Sequence, residues 1–125
     1  MTTREVDGAG RAGGLPDYYV YVLECEDGSL YSGITVDVER RMAEHLSQEA
    51  PGAKYTRAHR PVALVALWRT SGRSLASKLE YRLHRARRAQ KLALVENPDA
   101  AGEDYVSLGE AERERYWKAA LEPRA

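Results

Sequence analysis

Residues 19–33 carry the sequence YVYVLECEDGSLYSG. Two segments rich in Tyr, Val and Leu flank the turn residues Glu26-Asp27-Gly28, a pattern that is typical of a β-hairpin. Tyr21 and Tyr31 lie ten residues apart, on either side of this turn. Because side chains alternate along a strand, the length of the turn decides whether the two phenol rings share one face of the hairpin.

Two hairpin registers are consistent with these residues. A two-residue Asp-Gly turn pairs Tyr31 with Glu24 and puts the two tyrosines on opposite faces. A three-residue turn, with Gly28 in the left-handed conformation that glycine tolerates, pairs Tyr21 with Gly33 and puts both tyrosines on one face. We predict the longer turn, because Gly33 then leaves room beside the Tyr21 ring. The opposite face then collects four apolar residues: Val20, Val22, Leu30 and Ile34.

The remaining pattern predicts a single α+β domain with the element order ββαβαα. Residues 1–16 are predicted to be a flexible leader, residues 17–97 the main domain, and residues 98–125 an acidic loop plus a helix. After the hairpin we predict a helix capped by Thr35 or Asp37, then the basic loop AKYTRAHRP and a strand over Val62–Trp68. The next predicted helix begins at Ser74, weakens at Arg87-Arg88 and stops at Asn97-Pro98. A last helix is predicted over Gly109–Leu121.

Charge is distributed very unevenly along this neutral chain. Residues 54–91 contain eleven Lys or Arg residues and a single acid, Glu80, so this segment carries +10 and the rest of the chain −10. Such a segment indicates either a face that binds a polyanion or a solvated, arginine-rich helix surface. The single cysteine excludes an internal disulfide and a cysteine-rich metal cluster. Without an apolar run of ~18 residues or a signal peptide, we expect a cytoplasmic protein that contacts no membrane.

Several short motifs resemble the GIY-YIG nuclease domain, in particular its small stand-alone bacterial YhbQ-like branch. They occur in the family's order between about Tyr18 and Val95. The first triplet departs from the family's letters but keeps its tyrosine. The motifs are Tyr19-Val20-Tyr21, Tyr31-Ser32-Gly33, the segment GITVDVERRMAEH with Arg41 and His45, the segment GAKYTRAHRPVALV, and SLASKLEYRL with Glu80.

The resemblance implies a small three-stranded antiparallel sheet flanked by helices, and an endonuclease that cuts DNA with one divalent ion, Mg²⁺ or Mn²⁺. By the same resemblance, one tyrosine helps to deprotonate water, Arg41 steadies the phosphate and Glu80 binds the metal. Of the two tyrosines, we favour Tyr21 as the base and Tyr31 as a positioning donor. A role in DNA repair or processing belongs to the same expectation. Gly28 and Gly33 are expected to shape the site.

Each catalytic candidate also has a simpler explanation. Arg41 and His45 share one helix face, so both can approach the tyrosines. Arg41 could instead form a surface ion pair with Asp37 or Glu44, which contributes little stability. His45 is either a proton carrier, a phosphate donor or a surface histidine. Glu80 is either a metal anchor or an ion-pair partner on its own helix, for example of His84.

Cations around one aromatic residue suggest how DNA is held. Phosphate contacts and occasional base stacking are expected, so binding is sequence-independent and sensitive to salt. Any DNA selectivity would then have to come from the core, the short tail or a protein partner. The alternatives are a nucleic-acid-binding module without turnover and a protein-interaction domain. The candidate DNA-binding residues are Lys54, Tyr55, Arg57, Arg60, Lys78 and Arg82.

Overall fold

A computed structural model describes residues 14–47 and 54–122. The predicted leader therefore lies outside the described residues, except for residues 14–16. One antiparallel sheet has the strand order β2-β1-β3-β4. The strands are β1 (Asp17–Cys25), β2 (Leu30–Thr35), β3 (Pro61–Ser71) and β4 (Val106–Ser107).

Helices cover both faces of the sheet. None of the helices in the described ranges is long and apolar enough to cross a membrane. In chain order they are α1 (Val38–Ser47), α2 (Lys54–Ala58), α3 (Arg73–Arg85), α4 (Arg88–Glu96), a 3-10 helix (Pro98–Ala101) and α5 (Glu110–Leu121).

The hairpin has the predicted three-residue turn. Tyr21 pairs with Gly33 and Leu23 with Tyr31, so both tyrosines lie on one face. Gly28 adopts φ 84°, the left-handed conformation that the turn requires. The Asp27 carboxylate stabilises the turn by accepting hydrogen bonds from the Ser29 backbone N–H at 3.0 Å and from its hydroxyl at 2.6 Å.

The alternation of the strands divides the core into two layers. On one face, Val20, Val22 and Trp68 pack with apolar residues of α3 and α4. This is the layer that we expected to contain Leu30 and Ile34, and both pack against it. On the other face, the α1 residues Val38 and Met42 and the α5 residue Ala120 pack against a layer that includes both tyrosines.

Two predicted features of the fold were wrong. The sheet has four strands rather than three, because β4 pairs with β3 through Trp68–Ser107 and Arg69–Val106. A two-residue strand is too short to show alternating apolar and polar residues, so its sequence does not predict it. The basic segment AKYTRAHRP is not simply a loop, since five of its residues form α2, Lys54–Ala58.

The C-terminal segment is packed into the domain. The Trp68 indole donates a hydrogen bond to the Pro98 carbonyl at 2.9 Å, and the Tyr105 hydroxyl donates one to the Leu75 carbonyl at 2.7 Å. Leu108 and Ala120 are both buried in the layer that contains the tyrosines. Residues beyond Asn97 therefore contribute to the same core as the rest of the chain.

Candidate active site

The two tyrosines form the floor of the candidate site. Their ring centroids lie 6.5 Å apart, with the planes inclined at 43°. Tyr21 is only 1% exposed, whereas Tyr31 is half-buried. The Tyr21 ring lies across Gly33, where an added Cβ would approach the ring carbon Cζ to 2.7 Å. Glycine is therefore required at this position to admit the ring.

Helix α1 brings Arg41 and His45 onto the tyrosines. Asp37 caps the helix by accepting a hydrogen bond from the Arg40 backbone N–H at 3.1 Å. His45 is 0% exposed, which excludes a surface histidine, and its Nε2 lies 2.8 Å from the Tyr21 hydroxyl. The Arg41 Nε–H donates a hydrogen bond to the same hydroxyl at 3.4 Å.

Arg41 also forms the ion pair that was the simpler explanation for its presence. One terminal nitrogen of its guanidinium lies 2.8 Å from the Glu44 carboxylate. Both interactions coexist because the guanidinium has several N–H groups, which point in different directions. The ion pair with Glu44 holds the guanidinium beside Tyr21, so Arg41 is oriented from two sides.

Helix α2 closes the site from a third side. Its Thr56 is 0% exposed, and its Oγ1 lies 2.6 Å from His45 Nδ1. The neighbouring Tyr55 stacks on Tyr31 at a centroid distance of 5.6 Å and on His59 at 4.1 Å. The His59 ring is in turn 2.7 Å from the Asp27 carboxylate in the hairpin turn. These contacts fix α2 against the mouth of the site.

Glu80 lies on α3, which packs on the opposite face of the sheet from the tyrosines, but within electrostatic range of Tyr31. Burial raises the pKa of Tyr31, Arg41 lowers it and the Glu80 charge raises it again, which places Glu80 within electrostatic range of this phenol. Helix α3 carries Glu80 and contacts the edge strand β2. Within residues 14–47 and 54–122, Glu80 forms no ion pair, so the expected alternative of pairing with His84 does not occur.

The surroundings of Glu80 are compatible with a weakly held divalent ion. Among the described residues, no three His, Cys, Asp or Glu side chains come together as a complete protein cage. Mg²⁺ does not need such a cage, because it usually takes one or two carboxylates and completes its shell with waters and phosphate oxygens. A half-buried carboxylate without an ion-pair partner among the described residues fits that role.

Both titratable groups in the buried pair are uncharged at neutral pH. Burial raises the pKa of Tyr21 to about 12, although the hydrogen bond from Arg41 opposes this shift. Burial, and secondarily Arg41, lowers the pKa of His45 to about 4. A neutral imidazole and a neutral phenol in a 2.8 Å hydrogen bond can pass a proton between them.

The buried histidine predicts an acid-sensitive fold. In the unfolded chain His45 binds a proton below about pH 6.5, but in the folded protein only below about pH 4. The free energy of unfolding is therefore complete above pH 6.5 and falls by about 3 kcal/mol as the pH drops to 4. Urea unfolding at a series of pH values measures this loss. His45→Gln should flatten that part of the profile, and an unchanged slope would contradict the assignment.

The predicted DNA-binding residues do not form one surface. Lys54, Arg57 and Arg60 are exposed on and just after α2, close to the stacked Tyr55. Lys78 instead lies in a groove of about 570 Å³ shared with Tyr105, on another flank of α3 than Glu80.

Arg82 is held by the C-terminal segment. Its guanidinium donates hydrogen bonds to the carbonyl oxygens of Ala101 at 3.1 Å and Ala100 at 3.3 Å. These bonds give Arg82 a structural role, and its contact with DNA stays a prediction. Sequence reasoning did not single out Arg73, which lies seven residues before Glu80 and therefore shares its helix face, as His84 does four residues after it. Helical spacing from Glu80 is the signal that would have found Arg73.

A groove between α3, α4 and the 3-10 helix lies away from the tyrosines. It has a volume of about 770 Å³ and is lined by Arg82, Leu94 and neighbouring residues. The candidate site is instead a shallow surface bordered by exposed cations, as a site for an extended polyanion would be. Its identification therefore depends on side-chain chemistry and not on cavity size.

Known proteins and one known domain family are similar to this chain. A model of the GIY-YIG catalytic domain matches residues 17–93. The UPF0213 protein of Halalkalibacterium halodurans is 46% identical over 79 residues, covering 63% of this chain and 82% of the relative. The UPF0213 protein of Natronomonas pharaonis is 49% identical over 79 residues, covering 63% of this chain and 91% of the relative.

A solved structure also matches. It is the solution NMR structure of a UPF0213 protein from Bacillus halodurans, with 45% identity, a TM-score of 0.43, and coverage of 64% of this chain and 83% of that chain. The matched family segment spans more than half of the chain and includes Tyr21, Tyr31, Arg41 and Glu80. The chain therefore belongs to the GIY-YIG nuclease domain family.

Proposed function

We propose that the protein is a divalent-metal-dependent endonuclease that hydrolyses DNA phosphodiester bonds, with a role in DNA repair or processing. One observation carries the proposal. The buried Tyr21–His45 pair, bonded at 2.8 Å, lies beside a guanidinium and beside a half-buried tyrosine within electrostatic range of Glu80. These are the groups that phosphodiester hydrolysis needs: a proton acceptor, a cation for the phosphate and an anchor for a metal.

Tyr21 acts as the proton acceptor for the attacking water. Its oxygen takes a proton from the water, the new O–P bond forms, and the bond from phosphorus to the leaving oxygen breaks. The leaving oxygen keeps the electron pair of that bond and takes up a proton from solvent. A phenol is a poor base at neutral pH, so its own proton must have an acceptor. His45 is that acceptor, because its neutral ring is bonded to the Tyr21 hydroxyl. The Arg41 Nε–H stabilises negative charge that develops on the same oxygen.

The more exposed residues hold the phosphate. Tyr31 is half-buried and offers a hydroxyl donor, and Arg41 presents a planar group that suits a phosphate. Because Tyr21 is almost fully buried, the attacking water approaches it between these two side chains. When bound, the metal supplies positive charge that polarises the phosphoryl oxygens, with Glu80 as its protein ligand.

DNA binding depends mainly on phosphates. Lys54, Arg57 and Arg60 are exposed on and just after α2, and Tyr55, which stacks on Tyr31, retains 36% exposure. Charge and one aromatic surface distinguish nucleic acid from other ligands but not one base sequence from another. A protein partner would therefore provide any sequence or structure selectivity that the domain shows.

A cleavage assay tests the proposal. Supercoiled plasmid and nicked or branched oligonucleotides are incubated with the protein in Mg²⁺ or Mn²⁺, then in EDTA. We expect nicking that EDTA stops and excess metal restores, and DNA affinity that falls steeply as salt rises. DNA binding without metal-dependent cleavage would reject the enzyme and leave a binding module, and absence of both would leave a protein-interaction domain.

A further inference from the structure

We propose that Thr56 is a positioning residue that fixes His45 in the tautomer protonated at Nδ1, so that Nε2 accepts the Tyr21 proton. The catalytic consequence of this inference rests on the proposed function. The geometric part does not, because it follows from three buried side chains. Two hydrogen bonds join these side chains through the His45 ring. Thr56 Oγ1 lies 2.6 Å from His45 Nδ1, and the Tyr21 hydroxyl lies 2.8 Å from His45 Nε2.

The Tyr21 hydroxyl sets the direction of these two hydrogen bonds. The residue is 1% exposed, so its proton needs an acceptor within the protein. Among the described residues, only two side-chain atoms are bonded to the hydroxyl: Arg41 Nε at 3.4 Å and His45 Nε2 at 2.8 Å. The arginine nitrogen can only donate. The Tyr21 proton therefore points to Nε2, and Nε2 carries no proton of its own.

A neutral imidazole has one proton on its two nitrogens. The ring is 0% exposed, and its burial favours the neutral form by lowering its pKa to about 4. If Nε2 accepts, the single proton must lie on Nδ1 and needs an acceptor of its own. The Thr56 oxygen, 2.6 Å away, is that acceptor. The hydroxyl thus selects the ring nitrogen that remains free to act on Tyr21.

Other groups around the ring do not compete for this role. From β1 and β2 the ring meets Tyr21 and Tyr31, whose ring centroids both lie 5.5 Å from it at 65°. From its own helix the charged neighbour is Arg41, which lowers the pKa of His45. On α2, Thr56 bonds to the ring, while the adjacent Tyr55 stacks on Tyr31. The contacts of Tyr55 and His59 that hold α2 in place therefore also hold Thr56 at hydrogen-bonding distance from Nδ1.

Nitrogen NMR of the histidine ring tests the tautomer without any cleavage assay. In ¹⁵N-labelled protein at neutral pH, we expect a protonated Nδ1 and an unprotonated Nε2 for His45. Thr56→Val removes the acceptor at nearly constant volume and should shift the ring toward the Nε2-protonated form. Thr56→Ser should restore the original pattern. A wild-type ring protonated at Nε2, or a ring unaffected by Thr56→Val, would overturn the inference even if the protein cuts DNA.

Cleavage rates test the consequence. We expect Thr56→Val to lower the metal-dependent rate about 10- to 100-fold, and Thr56→Ser to recover most of it. Thr70→Val is a matched control, because Thr70 is also buried and its hydroxyl donates to the Asp104 carbonyl at 2.8 Å, in another part of the fold. Equal losses in the two valine variants would overturn the positioning role. A wild type without cleavage would reject the proposed nuclease instead, while the NMR result still decides the tautomer.

Discussion

Replacing Tyr21 with phenylalanine is expected to lower metal-dependent DNA cleavage by about 10²- to 10⁴-fold, the usual contribution of a general acid or base. The substitution keeps the ring over Gly33 and removes only the hydroxyl that bonds to His45 and Arg41. The proton route from water to His45 is thereby broken. Single-turnover rates on supercoiled plasmid, compared with DNA affinity in EDTA, separate this loss from a loss of binding.

The same substitution also carries a stability cost, which needs its own control. His45 Nε2 loses its buried partner, at a cost of about 1–3 kcal/mol. Tyr105→Phe removes a partly buried hydroxyl, bonded at 2.7 Å to the Leu75 carbonyl outside the site. That variant should be destabilised but should still cut DNA. Tyr31→Phe should lose about tenfold, as a positioning donor. Cleavage by Tyr21→Phe within threefold of wild type would refute Tyr21 as the base.

Local sequence rules were sufficient for the hairpin and for the main helices. The three-residue turn followed from Gly28 and from the sorting of apolar residues onto one face, and the observed register confirms it. The break between α3 and α4 falls at Ala86 and Arg87, next to the predicted weak point. These features depend on contacts between near neighbours in the chain, which periodicity and turn chemistry describe well.

Contacts between residues far apart in the chain could not be predicted from the sequence. Strand β4 exists because two residues meet β3 across an interval of about forty positions, which no local pattern encodes. The sequence brought Arg41 and His45 to one helix face but left open whether His45 was exposed. No sequence pattern singled out Thr56 as a site residue, since its role depends on how α2 packs against α1. Tertiary packing, rather than residue type, made these three residues neighbours.

Replacing Glu80 with glutamine is expected to lower cleavage in Mg²⁺ or Mn²⁺ by at least about 10²- to 10³-fold, because a metal ion that stabilises charge on the transferring phosphoryl group contributes several kcal/mol. The amide keeps the size of the side chain and removes the charge that anchors the ion. Glu80 forms no ion pair within the described residues, so the fold should tolerate the change. DNA affinity in EDTA should hold or rise, since one negative charge leaves a basic segment.

Glu114→Gln provides the matched control for charge. It makes the same change in net charge at an exposed position on α5, in a groove that it shares with Val62, Val95 and Trp117. If cleavage fell equally in both variants, net charge would explain the loss, and the metal anchor would have to be sought elsewhere. If Glu80→Gln cut at the wild-type rate, Glu80 would be no ligand at all. We expect cleavage to fall in Glu80→Gln alone. In both variants the logarithm of the DNA affinity should fall linearly with the logarithm of the salt concentration, which would separate metal chemistry from phosphate binding.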